Sequence, residues 1–277
     1  MSTFRIASNI GALEAYNALA KLNSKTQKAQ MRLATQKRIN SVADDTSGFN
    51  IGKALEAKVS LMQSAQKNVG SAKDMLATAE SQLVSMRDMI TQIKSKIADS
   101  GNAAADLGAL VNDIQAIANE IGSGIDNTKF NDTALLGTAA AAGFSFQTGV
   151  SSSETLSVDY ADDIASNFGT SKAGIDALTS ASGRADFTAL ETNLNAFETT
   201  VSNSLGKVGN FMQRLDAKDE FLTSAITNSQ ASVSRLFDAD VALEQLNATK
   251  YSIGAQAATA MTAQLNFAPQ QVLQLFG

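Results

Sequence analysis

The sequence predicts a mainly α-helical protein, a long antiparallel coiled-coil rod with a small β-hairpin region in the middle of the chain. Three observations predict this class: two long stretches with apolar residues at every seventh position, a single proline among 277 residues, and a middle segment without heptads. A seven-residue apolar repeat must be buried against other helices, usually with a left-handed supercoil. Because proline breaks helices, its scarcity permits very long ones.

The first heptad stretch covers residues 55–97. Its companion row three residues on is apolar except for Lys58, and three of its members are Ala, so a partner helix can approach closely. A helix of this length extends about 60–65 Å at a rise of 1.5 Å per residue, which exceeds an ordinary globular domain. The first row is Leu55, Met62, Val69, Leu76, Leu83, Ile90 and Ile97.

The second heptad stretch mirrors the first in the C-terminal half. Counting in sevens from Leu194 gives a mostly apolar row that ends at Leu243, and a companion row runs from Phe197 to Ile253. Two such helices, one in each half, predict a chain that folds back on itself. We expect the second helix to run with little interruption to about Phe267, where Pro269 ends it.

The pattern also predicts the order of the segments. We expect terminal coiled-coil segments at 1–42 and 234–277 and a rod domain at 43–233. Residues 137–185 are rich in Ser, Thr, Ala and Gly, and 144–149 and 155–160 alternate apolar with polar residues, which predicts a β-hairpin within this loop region. Within the rod domain the expected helices are 49–99, 105–125 and 186–233.

Composition argues against catalysis. The chain has no Cys, His or Trp, so it lacks thiol nucleophiles, the commonest general base and the commonest transition-metal ligands. We therefore expect that the protein is not an enzyme and holds no metal and no cofactor.

A net charge of −5 gives no general attraction to nucleic acid, and no apolar run reaches the ~18 residues of a membrane span. The N-terminus lacks the apolar core of a cleavable signal, which leaves a cytoplasmic protein or export without signal cleavage.

The first 40 residues form a basic amphipathic helix candidate, with seven basic residues and one Glu. A basic amphipathic end is compatible with a membrane surface, an acidic partner or a transit peptide. The pattern favours a solvated basic face on a helix that packs against a partner. Asp44 and Asp45 follow this segment among other cap-forming residues, so capping of the next helix is favoured over a metal or acid–base site.

Short motifs at both ends resemble those of bacterial flagellin. Near the N-terminus these are Arg38-Ile39-Asn40-Ser41 with Asp44-Asp45, Thr128-Lys129-Phe130-Asn131, Leu135-Leu136-Gly137 and the Phe144–Gly149 run. Near the C-terminus they are Gly209-Asn210, Arg214-Leu215-Asp216, Ser234-Arg235, Asp238-Ala239-Asp240, Thr249-Lys250 and Pro269-Gln270. The resemblance covers roughly residues 1–149 and 186–277. Gln36 and Lys37 depart from it, since many flagellins carry a Gly-containing step there.

The resemblance implies a structural subunit that polymerises with itself into the bacterial flagellar filament for swimming motility. It implies terminal helices that pair as a coiled coil in the filament core, with the rod domain outside. It further implies export through the flagellar export apparatus without a cleaved signal peptide, a C-terminal export chaperone, assembly beneath a filament cap, contact with hook-associated junction proteins, and an extracellular location. The middle of the chain is too short for large outer domains, so a near-minimal flagellin is expected.

The resemblance also suggests roles for particular residues. Apolar residues of the terminal helices are expected to be buried only when subunits stack: Ile6, Ile10, Leu13, Leu19, Leu22, Leu246, Ile253, Leu265, Leu273 and Phe276. The linker and rod motif contributes Arg38, Asn40, Asp44, Asp45, Arg214, Asp216 and Arg235. Candidate O-glycosylation sites are Ser151, Ser152, Ser153, Thr155, Thr170, Ser171, Thr179 and Ser180.

Two other functions remain open at this point. A hook–filament junction protein shares terminal motifs with flagellin, but it forms a short collar and not a long filament. A coiled-coil adaptor would keep its heptads in phase through the middle of the chain and form a parallel dimer. The break into a hairpin and the motifs at both ends favour a filament subunit.

Overall fold

The structure is a computed structural model of the single chain, and it describes residues 10–102, 104–137, 143–161 and 164–275, with the backbone alone at 266 and 268–275. Three helices are followed by four short strands and then by three more helices. They are α1 (Ile10–Thr35), α2 (Thr46–Asp99), α3 (Leu107–Asn127), β1 (Lys129–Phe130), β2 (Thr133–Ala134), β3 (Phe144–Gln147), β4 (Thr155–Val158), α4 (Ile164–Asp176), α5 (Arg184–Phe237) and α6 (Val241–Leu275). The mainly helical class with a small antiparallel strand region is confirmed.

The chain divides into two compact units. The terminal unit comprises Met1–Ala57 and Asn228–Gly277, and the central unit comprises Lys58–Thr227. Helices α2 and α5 each contribute one end to the terminal unit and the rest to the central unit.

The heptad rows form the core of the central unit, as predicted. On α2, the first-row residues from Met62 to Ile97 and the companion residues from Ala65 to Ile93 are all buried. On α5, burial follows the predicted row from Leu194 to Leu222. Every seventh residue is buried because residues at this spacing lie on one face of each helix, and that face packs into the core while the opposite face points to solvent.

Ion pairs between the long helices fix their direction. Lys73 of α2 lies 2.8 Å from Asp216 and 3.1 Å from Asp219 on α5, and Lys94 pairs with Glu198 further along α2. Higher numbers on α2 therefore face lower numbers on α5, which makes the two helices antiparallel. The two carboxylates raise the pKa of Lys73, because they favour its charged form.

Helix α4 was not clearly predicted, because its sequence pattern is weak. Its helical state follows from packing: the Phe168 ring lies 5.5 Å from that of Phe197 on α5, and a Cβ at Gly122 of α3 would meet Phe168 at 3.2 Å. Ile164 and Ile175 on the same helix are fully buried. A short helix thus joins α3 and α5 into one core.

The predicted hairpin is present, and a second one precedes it. Strands β3 and β4 pair antiparallel, from Phe144 opposite Val158 to Gln147 opposite Thr155. The additional hairpin is β1–β2, a pair of two-residue strands. Asn131 and Asp132 adopt φ values of 49° and 61°, the left-handed pair that a two-residue hairpin turn requires.

The C-terminal helix differs from the prediction at two places. The heptad helix breaks at Asp238–Asp240, because the Asp240 side chain accepts hydrogen bonds from the amides of Ala242 and Leu243 and so starts a new helix. The prediction that Pro269 ends the helix was wrong, since α6 continues to Leu275. A proline costs one backbone hydrogen bond within a helix, and α6 continues despite that loss.

Candidate self-assembly surface

Helix α1 packs antiparallel along α6 within the terminal unit. A Cβ on Gly254 would meet Leu22 at 3.3 Å, the Lys25 ammonium lies 5.6 Å from the Tyr251 ring centroid, and Arg32 donates to Glu244 at 2.9 Å. The Glu244 carboxylate is nearly buried in this contact. The inner face of the helix pair thus includes a leucine against a glycine, a lysine against a tyrosine ring and one ion pair.

Several large apolar side chains of this pair face outward. Ala29 is the only buried residue that α1 contributes among those described, whereas Leu13 and Tyr16 are more than 60% exposed. On α6, Leu246 is 65% exposed and Ile253 is 61% exposed. Large apolar side chains exposed together on the same two helices indicate an interaction surface.

The predicted assembly residues fall into three groups. Ile10, Leu13, Leu246 and Ile253 are exposed. Leu19, Leu22 and Leu265 are already half-buried in the single chain, so only the rest of their surface is available for stacking. The side chains of Ile6, Leu273 and Phe276 lie outside the described residues.

Sequence reasoning missed part of this surface. Tyr16, Met31, Val241, Met261 and Phe267 are also large, apolar and exposed on α1 or α6. Helical spacing could have found some of them, because residues three or four apart share a face, as Leu13 and Tyr16 do.

Residues 36–38, which follow α1, pair with residues 237–239 at the junction of α5 and α6, and we call this contact the joint. Lys37 and Asp238 form an antiparallel bridge. The Arg38 amide donates to the Phe237 carbonyl at 2.6 Å, and the Ala239 amide donates to the Gln36 carbonyl at 2.9 Å. The link from α1 to α2 is therefore tied directly to the link from α5 to α6.

Asp44 closes the loop beside this joint. Its carboxylate accepts hydrogen bonds from the amides of Asn40 and Ser41 at 3.1 and 3.2 Å, and it lies 2.6 Å from the Lys28 ammonium. The Lys28 contact, followed by the amides, lowers the pKa of Asp44 to about 2 against the opposing effect of burial. Asp45 instead caps α2, because it accepts the Gly48 amide at 2.9 Å.

We expect the stability of the terminal unit to fall in acid through Asp44. A lowered folded-state pKa stabilises the fold above the usual Asp range, and that contribution is lost as the pH falls from about 4 toward 2. Asp44→Asn should be less stable than wild type at pH 6 and equal to it near pH 2, as measured by thermal unfolding followed by circular dichroism.

The matched control for this prediction is Asp45→Asn. Asn keeps a side-chain oxygen for the Gly48 amide, so its difference from wild type should be small and independent of pH. A difference between Asp44→Asn and wild type that stays constant from pH 6 to pH 2 would contradict the role of the Asp44 charge.

Comparisons with known proteins bear directly on these helices. The model of the bacterial flagellin N-terminal helical region matches residues 6–141, and that of the C-terminal helical region matches residues 185–276. A flagellin of Bacillus subtilis is 30% identical to this chain, and the alignment covers 98% of this chain and 99% of that protein. The chain belongs to the bacterial flagellin family. A flagellin of Listeria monocytogenes is 29% identical with the same coverage.

A solved structure shows the same fold at greater distance. It is described as a flagellar hook-associated protein from Vibrio parahaemolyticus, with a TM-score of 0.58, and it covers 70% of this chain and all of that chain. The two sequences are only 14% identical, so the likeness concerns the fold alone.

Gln36 forms the bend directly after α1, at the position where many flagellins carry a Gly-containing step. It ends α1 with φ at 55°, in the left-handed region that glycine adopts most readily. The carbonyl of Gln36 accepts the Ala239 amide, so the joint holds the residue in this conformation. The departure from the family motif therefore leaves the bend in place.

The remaining linker and rod residues do not form one cluster. Arg38 donates to the Leu236 carbonyl at 3.1 Å in the joint, and Arg235 donates to the Ser232 hydroxyl at 3.1 Å. In the central unit, the Arg214 guanidinium lies 5.4 Å from the centroid of the Phe211 ring, and Asp216 pairs with Lys73.

Seven of the eight candidate glycosylation residues are exposed, but Ser171 is not. Ser171 is 1% exposed, and its hydroxyl lies 3.2 Å from the carbonyls of Asn167 and Asn193. A sugar cannot reach a hydroxyl that is held between α4 and α5, so Ser171 is withdrawn as a candidate.

The described residues contain no cluster of three or more His, Cys, Asp or Glu that could hold a metal. No helix in the described part of the chain is long and apolar enough to cross a membrane.

Proposed function

We propose that this chain is the repeating subunit of a bacterial flagellar filament, the extracellular polymer that drives swimming. The observation that carries the proposal is the outward-facing apolar surface of α1 and α6, on a chain that aligns with flagellins over nearly its full length. Twelve of the fifteen exposed large apolar side chains among the described residues belong to the terminal unit. Burying such a surface between copies favours assembly, because apolar burial contributes about 25 cal/mol per Å².

The role is structural. The family consists of filament subunits, and the chain has neither histidine nor cysteine with which to build the commonest catalytic sites. Assembly needs only complementary surfaces.

Family membership supports a proposal for the route to the filament. The subunit would leave the cell through the flagellar export apparatus without a cleaved signal peptide, with an export chaperone bound to the C-terminal helix. That chaperone would cover the exposed face of α6, which includes Leu246 and Ile253. Assembly would proceed beneath a filament cap, and hook-associated junction proteins would adjoin the first subunits.

The alternative of a hook–filament junction protein is not favoured. Its support is a shared fold at 14% identity, whereas flagellins match at 29–30% identity over nearly the whole chain. A coiled-coil adaptor is also not favoured, because the heptads give way to a hairpin and to α4 in the middle of the chain.

Electron microscopy of the purified full chain, incubated with filament seeds or a precipitating salt, tests the proposal. We expect long filaments of uniform width. Persistent monomers or short rods, with intact termini confirmed by mass spectrometry, would contradict it, and binding of those species to hook ends would then identify a junction protein.

The exposed hydroxyls of the middle segment remain candidates for surface O-glycans. They are Ser151, Ser152, Ser153, Thr155, Thr170, Thr179 and Ser180. A glycan on protein from the native source would add sugar-sized increments to the intact mass, and fragmentation should place them on these residues and never on Ser171. An intact mass equal to that of the sequence would rule the modification out for that preparation.

A further inference from the structure

The central unit exposes few large apolar side chains. Among its described residues, these are Leu61, Val84 and Phe221, which are 51%, 45% and 63% exposed. Isolated exposed apolar residues are common on proteins and carry no meaning alone. Val84 and Phe221 differ from Leu61, because each is accompanied by charged residues of one predominant sign, and the two signs are opposite.

Phe221 lines an open groove of about 410 Å³ between β4 and α5. Leu156 is the buried residue of the lining, and Ala217 and Phe221 add apolar surface. Arg214 and Lys218 stand one helical turn apart in the same lining, and the Lys218 ammonium lies 5.9 Å from the centroid of the Phe221 ring. The groove therefore combines an apolar centre with two cations.

A carboxylate beside the groove does not cancel its charge. The Ser151 amide, which donates to Glu154 at 2.8 Å, is the main cause of the lowered pKa of this carboxylate, and Lys218 and Lys58 make smaller contributions. Two cations thus line the groove and one carboxylate lies beside it, so the cations outnumber the carboxylate.

Val84 lies on the exposed face of α2 and carries the opposite charges. Glu80 precedes it by one turn and Asp88 follows it by one turn, and residues at this spacing share a helix face. Neither carboxylate forms an ion pair with any residue that the structure describes. We call Glu80, Val84, Arg87 and Asp88 the Val84 stripe, and Arg87 is its one cation. Leu61 has no acidic residue one turn away, since the neighbours there are Ala, Lys, Ser and Ala.

We infer that the groove at Phe221 of one copy receives the Val84 stripe of a second copy of this chain. Val84 would enter the apolar centre, and Glu80 and Asp88 would face Arg214 and Lys218. The occupant is a second copy because one chain carries both halves of the complementary pair. The inference rests on the proposed filament function and adds a contact made by the central unit.

The spacing of the charges differs between the two surfaces, but by an amount that side chains can span. Glu80 and Asp88 are about 12 Å apart along the helix axis, with Val84 midway, and Arg214 is about 6 Å from Lys218 along α5. Long, flexible basic side chains can bridge the remaining difference. Because the two surfaces are different patches of the same molecule, each added copy leaves a free groove or stripe, and such a heterologous contact extends into an open polymer.

Charge reversal tests the inference. One variant carries Arg214→Glu and Lys218→Glu, a second carries Glu80→Lys and Asp88→Lys, and a third carries all four changes. The readout is the critical concentration for seeded assembly at low salt, measured by light scattering. Each pair should raise it at least about tenfold, because like charges would then face each other. The four changes together should restore it to within about threefold of wild type.

A matched control separates the contact from net charge. Lys67→Glu with Lys129→Glu makes the same change in net charge as the Arg214→Glu and Lys218→Glu pair, at exposed positions of the central unit, and it should leave the critical concentration unchanged. Circular dichroism of each monomer verifies folding. Unchanged assembly of both reversed pairs, or a fourfold variant no better than the pairs, would overturn the inference while the filament function stands. Wild-type protein that forms no filaments would reject the filament function and this contact with it.

Discussion

A chain that lacks residues 240–277 should form no filaments at any accessible concentration, although its central unit stays folded. The deletion removes α6 and with it more than half of the exposed large apolar side chains described on α1 and α6, including Leu246 and Ile253. The central core does not depend on that helix, because its buried residues lie between Val59 and Ile226. Deletion of residues 1–36 should have the same effect, since it removes α1. Seeded assembly followed by electron microscopy measures the loss, and thermal unfolding verifies the remaining fold.

A full-length control distinguishes loss of the surface from loss of the helix. Leu246→Asp and Ile253→Asp change side chains that are more than 60% exposed, so the monomer should unfold at nearly the wild-type temperature. The same two changes should raise the critical concentration at least about tenfold, because a charge would be buried at each subunit contact. Filaments from either truncated chain, or normal assembly of the double variant, would place the assembly surface elsewhere.

Periodicity predicted the core of the central unit because burial there is intramolecular. From Met62 to Ile97 and from Leu194 to Leu222, each predicted first-row position on α2 and α5 is buried in the single chain. Beyond Leu222 the same seven-residue count continues to Leu243, yet Leu243 is exposed. An apolar repeat predicts that a helix face is buried, but it does not indicate whether the partner helix belongs to the same chain.

Other features were missed because they depend on tertiary contacts or on turn geometry. Helix α4 has Asn, Gly and Ser among its residues, and Phe168 holds it against α3 and α5. The β1–β2 turn depends on left-handed conformations at Asn131 and Asp132, and Asn-Asp is a weaker signal for such a turn than Asn-Gly. Within the terminal unit, the pairing of Lys37 with Asp238 joins residues about 200 positions apart, which no local pattern indicates.

The second large effect is expected at Leu83, which lies at the centre of the α2 heptad row. The side chain is fully buried, and Leu83→Asp would remove its packing and place a carboxylate in an apolar core without a partner. We expect a loss of at least about 4 kcal/mol, a large part of the 5–15 kcal/mol that stabilises a typical domain. Thermal unfolding should shift downward by at least about 8 °C, or the variant should be unfolded at room temperature.

The neighbouring residue provides the matched control, because the same substitution one position further along α2 meets solvent. Val84 is 45% exposed, so Val84→Asp should leave the unfolding temperature of the monomer within about 2 °C of wild type. The contrast between adjacent positions tests the heptad register itself, since a shift of one residue would exchange the two outcomes. Equal unfolding temperatures for both variants would show that the heptad row of α2 is not part of the core.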